Sequence, residues 1–468
     1  MTKCFLADDI DQVLLMPPSL HDWLPESHLA RFVADLMESL DLSAFYRSYD
    51  EKDGRGQAAY HPLMMVRLLL YGYCIGVVSS RQIEKRTYED VAFRYLSAGE
   101  HPDHSTINEF RKRHLGALAG LFVQALQLCE KAGLIKLGHV ALDGTKLQAN
   151  ASKHKAMSYG RMSEAEEKLK AEVEELLKRA EAADAAEDEK EKQGGSEELP
   201  QELARRESRL KKIRQAKAEL EAEAKQKAEQ EKAAAEARIA ARREQEEQTG
   251  KKMSGRPPQV PDPGQAVPDA KAQRNFTDPD SRIMPDGAHK GSFVQAYNAQ
   301  IAVDAEAQII VAADITQETN DKQQLAPMLE QVEQNTGAKP VASSADTGYW
   351  SPEQVADKRI EGIDLHVATN RDKHGTSTED VTSAEPVKTS SALEQMKQKL
   401  QSDAGRAIYK MRKAIVEPVF GQIKECRRFR RFSFRGLEKV RAEWKLVCLT
   451  HNILKLFRSG RGLQLLAA

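Results

Sequence analysis

Three carboxylates stand out by their settings. Asp143 lies in "ALDGT" (141–145), where a charge interrupts an apolar run and is followed at once by Gly144, Thr145 and Lys146. Asp346 lies in "SADTGYWS" (344–351), which repeats the form of Asp, a small polar residue and Gly. Glu417 lies in "AIYKMRKAIVEPVFGQIKECRRFRRF" (407–432), inside a strongly basic segment. A single Asp after a strand has a plain reading as a turn cap. Hard oxygen donors brought together from separate elements suit Mg²⁺ or Mn²⁺ instead. Two such ions roughly 3.5–4 Å apart activate an attacking hydroxyl and stabilise a leaving oxygen in phosphoryl transfer.

The surroundings of Glu417 favour a phosphate partner. From Arg406 to Arg435, ten bases (Arg406, Lys410, Arg412, Lys413, Lys424, Arg427, Arg428, Arg430, Arg431 and Arg435) face only Glu417 and Glu425, in a chain whose net charge is −1. Such a local surplus is the footprint expected for a nucleic-acid backbone. Phe429, Phe432 and Phe434 interleave with the arginines. They read either as platforms for unstacked bases or as anchors into the core.

The elements that must position these groups follow from hydrophobic spacing. Residues 1–135 read as a helical N-terminal domain. "HLARFVADLMESL" (28–40) and the nearly all-apolar "HPLMMVRLLLYGYCIG" (61–76) are its clearest helices, and Pro62 suits a first turn. "HSTINEFRKRHLGALAGLFVQALQLCEKAGL" (104–134) reads as one helix opened by a Thr106-x-x-Glu109 capping box. Its basic early turns, Arg111, Lys112 and Arg113, make it a candidate DNA reader in a helix-turn-helix-like arrangement; the alternative is a helical bundle with a solvated basic face.

Residues 139–148 read as a strand that ends near Asp143. From 157 to 250 the composition turns to Glu, Lys, Ala, Arg and Gln. Leu169, Val173, Leu176 and Ala180, then Leu203, Leu210, Ile213 and Leu220, form narrow stripes on either side of "QGGSEELP" (193–200). This predicts an antiparallel helical hairpin, with a charged disordered insert as the alternative. Residues 251–269 read as a Pro-rich linker. Beyond it come two strands turning at Glu306–Ala307, a helix over 321–337, a strand ending at Asp346, a short helix over 351–362 and a strand over 363–369. A Ser/Thr-rich loop (370–392) and closing helices complete the chain, the last a core helix over 443–458. With the hairpin set aside, 136–156 and 270–468 form an α/β domain, a mixed sheet flanked by helices. The five cysteines show no C-x-x-C spacing. The N-terminus lacks a signal-peptide pattern, and the longest apolar run is far short of the ~20 residues of a membrane span. A cytoplasmic, nucleoid-associated protein with no membrane partner is expected.

Taken together, "ALDGTKLQANAS", "FVQAYNAQIAVDAEAQIIVAADITQETNDKQQL", "SADTGYWS" and "VEPVFGQIK" resemble the DDE transposases of bacterial insertion sequences. The resemblance implies a ribonuclease-H-like catalytic core, a helical N-terminal domain and a charged helical insertion after the first Asp. It implies that Asp143, Asp346 and Glu417 bind divalent ions, Mg²⁺ or Mn²⁺ and two in number. The related pattern Tyr-x2-Arg-x3-Glu-x6-Lys, aligned on Glu417, carries Lys424 over as a contact to the terminal phosphate. It places Lys413 and Lys410 at the Arg and Tyr positions, with Tyr409 and Arg412 one residue out of step. Lys410, Lys413, Lys424, Arg427, Arg428, Arg430 and Arg431 are the DNA-binding candidates beside Arg111, Lys112 and Arg113. The implied partners are terminal inverted repeats and target DNA, handled by a homo-oligomer in a synaptic complex. The implied reaction is metal-dependent strand cleavage followed by strand transfer. A nuclease without strand transfer, or a non-catalytic DNA-binding or assembly protein that keeps the fold, shares the same residues.

Overall fold

The structure is a computed structural model that describes residues 19–50, 58–187, 198–249, 258–369 apart from 288 and 290, and 392–467. The Ser/Thr-rich stretch, the first half of the Pro-rich linker and most of the turn between the hairpin helices lie outside these residues.

The N-terminal region is helical, as its spacing predicts. α1 (Leu29–Leu36), α2 (Ser43–Asp50), α3 (Pro62–Cys74), α4 (Ser80–Glu89), α5 (Val91–Leu96), α6 (His104–Arg113) and α7 (Leu115–Lys131) follow one another. Pro62 opens α3, where a missing N–H costs nothing. The helix expected over 104–134 is two. Asp103 rather than Thr106 caps α6, accepting from the Ser105 and Thr106 amides, and the chain bends at His114 before α7 begins. A carboxylate at an N-cap satisfies otherwise orphaned amides and favours the helix dipole, so Asp103 outcompetes the hydroxyl three residues on.

The sheet is built from β1 (His139–Gln148), two short strands β2 (Ala156–Ser158) and β3 (Gln273–Asn275) that pair apart from it, then β4 (Arg282–Pro285), β5 (Phe293–Asp304), β6 (Ile310–Thr316), β7 (Ala342–Ala345) and β8 (Asp364–Val367). β5 lies antiparallel to β1 along one edge and to β4 and β6 along the other. β7 and β8 continue parallel on the far side of β1. This is the mixed sheet of the ribonuclease-H-like class. Asp143 does not end its strand: β1 runs on to Gln148, held by β5 throughout. It is β7 that stops, pairing with β1 only from His139 to Ala141. The open rim beside Asp143 is made by the short neighbour.

The expected hairpin is present as α8 (Tyr159–Glu187) and α9 (Glu198–Thr249). It has its own small core of Met162, Leu169, Leu210, Ile213, Ala216 and Leu220. Charges fix its base. Arg274 on β3, 7% exposed, pairs with Glu219 and Glu223 of α9, and Arg282 pairs with Glu223.

Past β6 come α10 (Leu325–Thr336), α11 (Pro352–Val355), α12 (Ala392–Gln401), α13 (Asp403–Gly421), α14 (Leu437–Arg458) and α15 (Arg461–Ala467). α14 is the core helix predicted over 443–458. Trp444 is fully buried and its indole N–H donates to the Gln300 carbonyl on β5. Asn452, also fully buried, clasps Ile310 on β6 by accepting from its N–H and donating to its C=O. Its other flank packs on α3 and α7, so one hydrophobic cluster runs from Leu24 through the sheet to Leu456. Packing therefore does not break at residue 135.

A buried polar network crosses that junction. Glu443 of α14 is fully buried and accepts from Tyr73 of α3 (3.1 Å) and from the amides of Ser433 and Phe434. Arg111 of α6, 4% exposed, donates to the Tyr73 hydroxyl (3.0 Å) and to the Val78 carbonyl and stacks on Phe434. Burial pushes the Glu443 carboxyl up, against the pull of Arg111. Removing one member of such a network strands the other charge in low dielectric. Arg111→Ala is expected to cost about 3 kcal/mol of stability, whereas Lys112→Ala next door leaves it unchanged. Thermal unfolding of the two variants checks this, and equal effects would place Arg111 outside the core.

Candidate active site

Asp143 and Asp346 meet because β1 and β7 are neighbours. β1 pairs with β7 through Val140–Ser343 and Ala141–Ser344, and Asp346 follows directly after β7, near enough for its charge to act on the Asp143 carboxyl. Asp346 caps the turn after β7, its Oδ1 accepting from the Gly348 amide at 2.9 Å. It is thus a turn cap and a member of the site at once. Asp143 accepts from the Gly144 amide at 2.9 Å. Burial pushes the Asp143 carboxyl up to about 6; the Arg412 guanidinium opposes this, and Asp346 and Asp321 add to it by repulsion.

Asp321 is the residue that sequence reasoning missed. It lies just past β6 in "ETNDKQQL" (318–325); the helix read over 321–337 begins only at Leu325, which leaves Asp321 in the connection. Its Oδ1 accepts from Asn298 Nδ2 and Gln300 Nε2, each at 2.6 Å. Those two amides sit on β5 opposite Lys146 and Gly144. The alternation of polar Asn298 and Gln300 in a mainly apolar strand was the available signal.

Two tethered cations offset the carboxylates. Arg412 of α13 is 8% exposed, and its Nη1 lies 3.5 Å from Asp143 Oδ2. Lys146 Nζ lies 3.9 Å from Asp321 Oδ1 and feels all three carboxylates, while burial holds its ammonium below the usual lysine value. Lys424 donates to the Thr145 hydroxyl, so the Lys carried over by the resemblance does reach β1. Gly144 makes room, though for protein groups: a Cβ there would collide with the Gln300 amide and stand 2.8 Å from Asp321 Oδ1.

Helix phase decides the remaining candidates on α13. Arg412, Ile415, Val416 and Val419 form its buried face. Glu417 falls outside that face with Lys410 and Lys413, and is exposed with no hydrogen-bond or ion-pair partner among the described residues. The alignment on Glu417 therefore selects the outer face, while Tyr409 and Arg412 stack together on the inner side and Arg412 reaches the aspartates. Among the described residues no group of three His, Cys, Asp or Glu closes to metal-ligating distance. The donor chemistry of Asp143, Asp346 and Asp321 nevertheless suits a hard divalent ion, because burial and mutual repulsion raise Asp143 in spite of two tethered cations.

The basic residues divide by burial. Arg427 is 6% exposed and donates to the Val447 carbonyl and the Thr450 hydroxyl of α14; its carbonyl would stand 2.6 Å from a Cβ on Gly76, a residue that also has a φ of +81°. Arg111 is likewise a core residue, so neither is available to DNA. Lys410, Lys413, Arg428, Arg430 and Arg431 are exposed; Arg430 pairs with Glu425 and Arg431 donates to Asn150. Phe429, Phe432 and Phe434 are buried and act as core anchors. Lys112 and Arg113 line an open groove of ≈ 1610 Å³ on the N-terminal helices, with Arg67 and Arg81. No described helix is long and apolar enough to cross a membrane.

Two families match the chain. Residues 18–113 match a transposase domain (DUF772), and residues 370–457 match a transposase DDE domain. The second match spans Glu417 and Lys424 and ends inside α14. No curated protein and no solved structure matches.

The raised Asp143 carboxyl has a consequence for stability. The folded chain binds this proton more tightly than the unfolded chain, whose value is near 3.8, so the ionised group weighs against the fold progressively from about pH 4 to pH 6 and fully above. Asn resembles the protonated form. Asp143→Asn is expected to stabilise the divalent-free protein by roughly 2 kcal/mol at pH 7.5 and to have no such effect at pH 4. Melting temperatures at both pH values check it, and destabilisation at pH 7.5 would contradict the assignment.

Proposed function

We propose that this chain, a DDE transposase of the insertion-sequence kind by its two family matches, cleaves DNA at the ends of a mobile element and joins them to target DNA. The observation that supports the reading is the pair formed by Asp143 on β1 and Asp346 just past the end of the neighbouring parallel strand β7, close enough for the Asp346 charge to act on Asp143. The buried guanidinium of Arg412 beside it and the Lys424–Thr145 contact support it.

Asp143 and Asp346 would hold Mg²⁺ or Mn²⁺, which supplies Lewis-acid stabilisation of developing charge when bound. The resemblance assigns Glu417 the third position. Water attacks phosphorus at the element's end; the 3′-oxygen leaves with the bonding pair and takes a proton, giving a 3′-hydroxyl and a 5′-phosphate. That hydroxyl then attacks phosphorus in target DNA and displaces the target's own 3′-oxygen. No covalent protein intermediate is needed, so the chain's task is positioning and charge stabilisation. Arg412 and Lys424 would take phosphate oxygens. Arg428, Arg430, Arg431, Lys410 and Lys413 supply exposed positive charge around the site, and Lys112 and Arg113 supply it on the N-terminal helices. Two paired ends in a homo-oligomer provide the synaptic arrangement this reaction needs.

Asp143→Ala and Asp346→Ala are expected to lower cleavage of cognate ends by at least about a hundredfold while end binding persists. Wild-type cleavage by Asp143→Ala would remove the assigned site. Glu417→Gln tests the third position in the same assay, where undiminished cleavage would release Glu417 from it. A strand-transfer product separates the transposase from a simple nuclease. Binding without cleavage in the wild type marks a non-catalytic DNA-binding protein.

Replacing Arg428, Arg430 and Arg431 together by Ala is expected to weaken DNA binding. The slope of log affinity against log salt should fall by about one for each phosphate that is no longer neutralised. An unchanged slope would take this segment off the DNA path.

A further inference from the structure

We infer that Asp321 is a metal-contacting carboxylate of this site, brought in by the connection between β6 and α10. The inference rests on the proposed reading of Asp143 and Asp346 and extends it to Asp321, which like them lies outside both family matches.

The first ground is placement. Asp321 Oδ1 is fixed by Asn298 and Gln300 at 2.6 Å each, which leaves Oδ2 turned toward the turn after β7. A Cβ built on Gly348 would stand 3.2 Å from Asp321 Oδ2 and 3.0 Å from Asp346 Oδ1. Both oxygens therefore crowd one bare glycine. On the β1 side, a Cβ on Gly144 would press on Asp321 as well. Two glycines thus bound the space around this carboxylate, one beside each site aspartate.

The second ground is independent and lies in unmet polar groups. Asn298 is fully buried, yet its Oδ1 has no hydrogen-bond partner, and it stands 3.1 Å from the Cβ position of Gly144. Arg412 is 8% exposed, and its Nε and Nη1 likewise lack a hydrogen bond, with Nη1 facing Asp143. Buried groups left in this state cost stability unless something satisfies them. An acceptor oxygen beside Asp321 suits a cation or a water held by one. Unsatisfied guanidinium donors beside Asp143 suit a phosphate oxygen.

Electrostatics agree with this grouping. Tyr349, fully buried behind the turn, and Lys146 each feel Asp143, Asp346 and Asp321 together. Lys146, 3.9 Å from Asp321, is a monovalent group standing where charge is needed. A divalent ion neutralises more of it.

The test uses the full chain and Mn²⁺ as the probe, with binding read by titration calorimetry and end cleavage read separately. Asp321→Asn is expected to weaken Mn²⁺ binding by about tenfold or more without lowering the melting temperature. Asp321→Cys is expected to cleave with Mn²⁺ and to fail with Mg²⁺, because a thiolate is a poor ligand for the harder ion. If Asp321→Asn binds Mn²⁺ as wild type does while Asp143→Ala has lost binding, the inference falls and the reading of Asp143 stands. If Asp143→Ala also binds as wild type does, both fall. Should Asp321→Asn fail to fold, the Cys variant decides: equal loss with both ions in a folded protein overturns a direct contact.

Discussion

Carboxylates crowded at the buried rim of a sheet set the terms for the rest of this structure. Asp143 is pushed up to about 6 by burial and by its neighbours, an arrangement that the fold tolerates only with counter-charge close by. Arg412 arrives from α13 and Lys146 from β1 itself. Asn298 and Gln300, buried on β5, donate the hydrogen bonds that hold Asp321 in the same place. Carboxylates kept short of positive charge in this way have the donor chemistry of a hard cation. The cost is borne by the surrounding packing.

That packing centres on α14. Trp444 and Asn452 tie it to β5 and β6 on one flank, and α3 and α7 cover the other. The network of Arg111, Tyr73 and Glu443 then joins the N-terminal helices to the amides of Ser433 and Phe434, next to the exposed arginines. The basic segment is consequently not a free arm. Its phenylalanines, Arg412 and Arg427 are inside, while Arg406, Lys410, Lys413, Arg428, Arg430, Arg431 and Arg435 remain outside. By contrast, the α8–α9 hairpin has a separate small core and is joined to the body through charge pairs at Arg274 and Arg282. This fits an element added to a complete fold.

Much of this was legible in the chain. A run apolar nearly all round marked α3, a break between two apolar runs marked the β5–β6 turn, and periodic stripes marked α14 and the hairpin, because a buried stripe must repeat at the period of its element. The shared form of "LDGT" and "ADTG" pointed to one rim, and β1 and β7 are indeed neighbours. Asp103 could have been read as a cap, since an acidic residue directly before a helix competes well with a hydroxyl inside it. Asp321 had no such mark, because a residue in an irregular connection carries no periodic signal.

What the sequence determined by itself is the set of elements and the chemistry they bring: strands, helices, three candidate acids and an excess of bases. Which of these face one another was decided only in three dimensions. A rotation of about 100° per residue separates Arg412 from Glu417 on α13, so a motif one residue out of step exchanges the inner face for the outer. The early end of β7 opened the rim beside Asp143, and burial turned Arg111 and Arg427 from phosphate ligands into core charges. Each outcome depends on contacts between residues far apart in the chain, and local spacing holds no record of them.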